Sequence, residues 1–180
     1  MTPRLEREAR AWAGARRPAN IATPGPGQRS VWDFPRPPAV ERVLDRVRVE
    51  MSGVVLADSL ACLRVCETAS PPTYYLPMAD IRQEHLRAAA GGSMCEWKGR
   101  ASYYDVVVGD RVGQQAAWWY PEIASEYRML SEHVAFYASR VDRCTVGDEV
   151  VEPQPGGFYA GWITSELTGP WKGGPGSSGW

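Results

Sequence analysis

The sequence predicts a mainly β protein built from antiparallel sheets, arranged as a sandwich or partly open barrel with one or two short helices. Three observations carry this. Val47, Val49 and Met51 alternate with Arg48 and Glu50, the period of a half-buried strand. Ala101 to Val108 packs two tyrosines and three consecutive valines into one run, a composition that favours extended backbone. Short apolar runs then recur at regular spacing, separated by Gly and Pro turn signals.

Taken in order, residues 1–44 read as an arm. Leu5, Ala9 and Trp12 recur at near-helical spacing in an Arg/Glu background, which predicts a short amphipathic helix. Pro24-Gly25-Pro26-Gly27 breaks regular structure, and Phe34-Pro35-Arg36-Pro37-Pro38 favours an extended path. Trp32 and Phe34 are costly to leave in water, so the arm is expected to dock on the domain; a solvated linker is the alternative.

The β-rich core domain spans 45–146. Gly53 turns the Val47–Met51 strand into Val54-Val55-Leu56-Ala57, and Leu63 to Glu67 continues as a third strand. Pro71-Pro72 is expected to end that strand, leaving Thr73 to Leu76 as a short fourth. Asp80 is placed to cap a short helix running through His85 to Ala90. Gly109-Asp110-Arg111 turns the long strand into Ala116 to Tyr120. One or two helical turns follow within 122–131, and Val134 to Tyr137 and Val141 to Val146 close the sheet. Residues 147–180 form a Gly/Pro-rich C-terminal arm expected to pack on the core, with its own aromatics Phe158, Tyr159, Trp162, Trp171 and Trp180.

Composition narrows the function. The formal net charge is -1 with a pI near 6.1 and scattered basic residues, so the clustered basic face of a nucleic-acid binder is missing. No apolar run is long enough for a membrane span. Met1 to Pro18 has no apolar stretch of signal-peptide type, which predicts a cytoplasmic protein with reduced thiols. Cys62 and Cys66 would lie about 13 Å apart on a strand rising about 3.3 Å per residue. Cys95 and Cys144 have no histidine at ligand spacing. No metal and no cofactor are expected.

Lysine usage is unusual. Among 20 basic residues only Lys98 and Lys172 are lysines, and both sit in the tripeptide Trp-Lys-Gly. Chance in an Arg-biased sequence is the plain explanation, and it suffices for Lys172. At Lys98 a specific ammonium is expected, since Lys and Arg differ in geometry and in how far burial moves their pKa. With Glu67 after an apolar strand and aromatics interleaved on strands, the residues fit a pocket with apolar walls and few polar groups. Glu67 and Lys98 are the candidate catalytic pair, Glu67 as general base and Lys98 as electrostatic stabiliser. Tyr75, Cys95, Trp97, Tyr103, Tyr104, Trp118 and Tyr120 are the candidate ligand-binding residues.

Five separated blocks carry a family resemblance: Glu67; Tyr75-Leu76-Pro77 with Asp80; Cys95-x-Trp97-Lys98-Gly99-x-Ala101-x-Tyr103; Ala117-Trp118-x-Tyr120-Pro121; and Val134-Ala135-Phe136-Tyr137. In order and spacing they resemble domain-of-unknown-function family 427, over roughly Val47 to Asp142. The two arms look like those of its actinobacterial members. The resemblance implies a β-tent (Mss4-like) fold, whose relatives often hold zinc at paired Cys-x-x-Cys motifs that this chain lacks. The family is sometimes labelled nucleotidyltransferase-like. That label requires paired carboxylates and a Gly-Ser phosphate loop, and the sequence shows neither. Two functions stay open: a small-molecule-binding domain able to catalyse a metal-free transformation, or a non-enzymatic scaffold whose aromatic arms make homodimer or partner contacts.

Overall fold

In the computed structural model, which describes residues 17–177 together with Glu6, apolar periodicity resolves into two stacked antiparallel sheets. The helix expected around Leu5, Ala9 and Trp12 lies outside the described residues, as does Trp180. The first strands are β1 (Arg29–Ser30), β2 (Ala39–Arg42), β3 (Val47–Met51), β4 (Val54–Ser59), β5 (Leu63–Glu67) and β6 (Ser70–Pro77). Next come β7 (Leu86–Ala88), β8 (Ser93–Cys95), β9 (Gly99–Val108), β10 (Arg111–Trp119) and β11 (His133–Phe136). The last are β12 (Arg143–Val146), β13 (Glu149–Val150), β14 (Glu152–Pro153), β15 (Trp162–Ile163) and β16 (Leu167–Thr168).

The larger sheet runs β2-β5-β6-β11-β10-β9-β7, with β8 paired to β9, and the smaller runs β13-β12-β3-β4. Neither closes into a barrel. Period two in β3 has its expected consequence: Val47, Val49 and Met51 are fully buried and join Tyr74, Leu76, Val134 and Phe136 from the larger sheet in one core. The β3–β4 turn places Ser52 and Gly53 at positive φ (50° and 75°), as a two-residue hairpin loop of the right-handed twist requires. The centre of the larger sheet is covered on its other face too. There Tyr75, Trp97, Trp118, Ala135 and Tyr137 form a second core.

Two expectations are corrected. Pro71-Pro72 does not end the third strand: the reversal falls at Thr68–Ala69, with Ala69 at φ 70°, and the prolines run inside β6. They are tolerated because β11 pairs only with Tyr75 to Pro77, beyond the proline pair. The helix expected from Asp80 to Ala90 is instead two 3-10 turns, Met78–Asp80 and Gln83–His85, followed by β7. The Asp80 carboxylate accepts the Ser59 hydroxyl at 2.6 Å instead of capping a helix. Leu86 to Ala88 meanwhile finds a strand partner on β9. The helical turns expected within 122–131 are a 3-10 segment, Ser125–Leu130.

The described parts of both arms pack on the domain. Val31, Trp32 and Phe34 are buried with Cys66 and Leu167, and the Trp32 indole N–H donates to the Pro170 carbonyl at 2.6 Å. Within the stretch read as the N-terminal arm, Ala39–Arg42 is a sheet strand paired with β5. Arg29 binds both oxygens of Glu41 at 2.8 and 2.9 Å, and Arg64 joins Glu41 at 3.0 Å while also bonding Glu166 of the C-terminal arm. In that arm Trp162 stacks on Tyr74 at 4.9 Å and donates to the Phe136 carbonyl. Among the described residues no helix is long and apolar enough to cross a membrane.

Candidate functional site

The Cys95-to-Tyr104 stretch is a tight hairpin. β8 folds back on the start of β9 with Cys95 opposite Gly99 and Ser93 opposite Ala101. Gly99 makes the return at φ 101°, where a side chain is strained, and a Cβ there would meet the Glu122 carbonyl at 3.1 Å. The Lys98 carbonyl accepts the Ala124 N–H, pinning the turn to the next loop. This geometry sends two of the turn's three side chains inward, leaving Trp97 1% and Lys98 6% exposed.

Beneath the hairpin lies a cavity of about 320 Å³ between the larger sheet and the C-terminal arm. Trp118 is its central ring, 4.7 Å from Tyr137 in a tilted contact and 6.2 Å from Tyr75 edge to face. The Tyr103 hydroxyl is 2.8 Å from Ser93 Oγ. The structure brings Glu67, Tyr75, Cys95, Trp97, Lys98, Tyr103, Trp118 and Tyr120 to this one cavity. Tyr104, expected among the walls, is on the opposite face of β9. It packs against the inter-sheet core and stacks on Trp119 at 6.3 Å, because successive strand residues point to opposite sides.

Glu67 is engaged. Its Oε1 accepts Arg36 at 2.8 Å and the Trp97 indole N–H at 3.1 Å. The Arg36 side chain is almost fully buried, and that burial lowers its pKa against the pull of Glu67 and Glu96. Glu67 therefore ties the N-terminal arm to the hairpin.

Lys98 is different. Among the described residues no carboxylate lies within ion-pair distance of its ammonium. The Nζ stands 5.7 Å from the Tyr120 ring and 6.0 Å from the Tyr127 ring, and Cys95 lines the same cavity. Burial opposes the charge, yet Tyr75, Cys95 and Glu67 outweigh it and hold the Lys98 pKa above the ordinary lysine value. Tyr75 pulls in this way only when deprotonated, and burial pushes its own hydroxyl up, so its pull is absent at neutral pH. Burial pushes the Tyr75 and Tyr120 hydroxyls up, keeping both protonated as donors. Of the four thiols, Cys62, Cys66 and Cys144 are buried and Cys95 opens partly to the cavity. Burial pushes Cys62 and Cys66 up to about 12.

Sequence reasoning missed Tyr137, Gln154, Tyr159 and Lys172, all of which border the cavity. Gln154 organises the arm: its Nε2 donates to the Lys172 carbonyl at 2.7 Å and its Oε1 accepts the Gly161 N–H at 3.0 Å. Gly161 lies so near β6 that a Cβ would fall 2.4 Å from the Pro71 carbonyl. Lys172 Nζ is 5.3 Å from the Tyr159 ring. A signal for it existed in the repeated Trp-Lys-Gly tripeptide. The only two lysines of the chain border one cavity.

These features define a mainly β domain of stacked antiparallel sheets with an aromatic cavity on the outer face of the larger one. Residues 39–147 match the family described as Domain of unknown function (DUF427). That is more than half of the chain, which belongs to this family. Among curated proteins no match was found. The matched segment runs from β2 through β12 and includes the hairpin with Lys98, whereas Gln154, Tyr159 and Lys172 lie beyond it.

Proposed function

We propose that this protein is a small-molecule-binding domain whose ligand occupies the cavity under the Trp97-Lys98-Gly99 hairpin. The observation that carries this reading is buried Lys98 lining a half-open, Tyr- and Trp-walled cavity, with no carboxylate within ion-pair distance of its ammonium among the described residues. Apolar walls with a few placed polar groups are what small-molecule sites require, and 320 Å³ is at the lower end of their usual range of roughly 300–1,000 Å³. That size suits a metabolite of one or two rings. Lys98 is the ligand's polar anchor. Glu67, held by Arg36 and Trp97 through one oxygen, acts as a positioning residue that fixes the hairpin. The alternative of a scaffold built on aromatic arms has less support, because Trp32, Phe34 and Trp162 are buried within their own chain.

A fragment library screened by thermal shift tests the reading, with Ala160→Trp as the blocked control, since Ala160 borders the cavity. Compounds that raise the melting temperature of the wild type and not of the blocked variant are expected. A screen in which no compound stabilises the protein, or in which every hit stabilises both forms equally, overturns it.

A further inference from the structure

The polar groups of the cavity are unevenly distributed. Glu67 is matched by Arg36, and Glu96 is exposed to solvent. Lys98 is buried, and its neighbours are Cys95, two tyrosines that burial keeps protonated and two ring faces, with Glu67 acting from beyond ion-pair distance. A buried ammonium in such a setting is undercompensated, because ring faces and neutral hydroxyls return only part of the hydration it has lost. The buried ammonium is Lys98, a compact point charge flanked by hydroxyl donors that matches a single carboxylate, whereas the cavity's second lysine, Lys172, is half-buried at its border with Nζ 5.3 Å from the Tyr159 ring. A triphosphate or dinucleotide would need more cations, a nest of backbone N–H groups and a larger space. Beside the ammonium the cavity offers flat aromatic surface, with Trp118 between Tyr75 and Tyr137, where an offset or edge-on ring is accommodated.

We infer that the ligand class is a small aromatic monocarboxylate, its carboxylate on Lys98 with the Tyr75 and Tyr120 hydroxyls in reach and its ring against Trp118. This rests on the cavity being a small-molecule site. It adds the charge and shape of what enters. Lys98, and not Glu67, is then the residue that distinguishes ligand from non-ligand.

The experiment compares matched acids and amides: phenylacetate against phenylacetamide, and indole-3-acetate against indole-3-acetamide. Binding is read by isothermal titration at neutral pH, first with the wild type and then with Lys98→Met. A carboxylate that loses its charged partner gives up a charge-assisted hydrogen bond, so the acids should bind the wild type at least about tenfold more tightly than the amides. In Lys98→Met the preference should vanish while the amides bind as before. Equal binding of acid and amide to the wild type overturns the assignment and leaves the pocket reading intact. So does a preference for acids that persists in Lys98→Met. Absence of binding by both acids at about 10 mM overturns the ligand class, and the fragment screen then decides separately whether the cavity binds anything. The wild-type comparison needs no variant, and Lys98→Gln replaces Lys98→Met if the latter loses its native circular dichroism.

Discussion

Replacing Lys98 by methionine should make the unliganded protein more stable. Lys98 is 6% exposed as a residue, and withdrawing such an ion from water costs several kcal/mol even after relaxation. Its returns are small. The Tyr120 and Tyr127 rings at 5.7 and 6.0 Å are at the outer reach of a cation–π contact, about 0.5 kcal/mol each. The neighbouring Cys95 sulfur adds at most about 1 kcal/mol. Glu67 attracts from a distance, with its Oε1 already taken by Arg36 and Trp97. The shortfall is about 1–2 kcal/mol. Methionine preserves most of the buried stem and removes the charge, so Lys98→Met should gain about that much, raising the melting temperature by about 2–4 °C per kcal/mol. Lys98→Ala also removes the stem packing and should be less stable than the wild type by about 2 kcal/mol. Urea unfolding followed by tryptophan fluorescence measures all three. If Lys98→Met loses as much stability as Lys98→Ala, the ammonium is a satisfied structural anchor and the reasoning behind the anionic ligand fails.

Iodoacetamide should alkylate Cys95 alone in the native protein, since the other three thiols are buried and burial raises their pKa. Intact mass and peptide mapping check this, and modification of Cys62 or Cys66 at a similar rate would contradict the burial argument. Glu41 should contribute to stability in a pH-dependent way. Its hydrogen-bonded Arg29 holds the carboxyl at about 2 against an ordinary 4.5. The contribution is therefore complete above pH 4.5 and is lost as pH falls through about 2. Because Glu41 is partly exposed, solvent screening reduces it to about 1 kcal/mol. Glu41→Gln should cost that amount at neutral pH, with the gap to wild type closing near pH 2 in chemical denaturation curves; a constant gap would refute the ionic origin.

What the sequence made legible follows from what each signal encodes. The β3–β4 hairpin could be read because one face of each strand is buried, so polarity alternates and the turn glycine is local. Lys98 stood out because arginine serves almost everywhere else. Tyr103 and Tyr104 could not be separated, because both faces of β9 meet apolar surroundings and the aromatic pair carries no mark of which side is the cavity. Pro71-Pro72 misled for a related reason. A proline is excluded from the paired interior of a sheet, but β6 outruns β11, and only the tertiary register reveals that. The cavity's outer wall left its one sequence signal in the repeated Trp-Lys-Gly tripeptide: Gly161 against Pro71 and Gln154 against Lys172 are long-range contacts that no local pattern reports.

That outer wall divides the site in two. The segment matching the DUF427 family contains the hairpin, the Lys98 ammonium and the Trp118 surface, which together fix the polarity of the cavity. The arm beyond residue 147 contributes Gln154, Tyr159 and Lys172, which fix its size and its second cation. Gln154 couples them, because one amide holds both the Lys172 carbonyl and the Gly161 N–H where the chain crosses Pro71. The two Trp-Lys-Gly tripeptides are built alike at the glycine, with Gly99 at φ 101° and Gly173 at φ 102°. Each uses a backbone conformation open to glycine to bring a lysine to the cavity, one from inside the family domain and one from the arm that covers it. With a carboxylate on Lys98, changes in the arm should alter which ring is accepted, whereas changes in the hairpin should alter whether an anion is accepted at all.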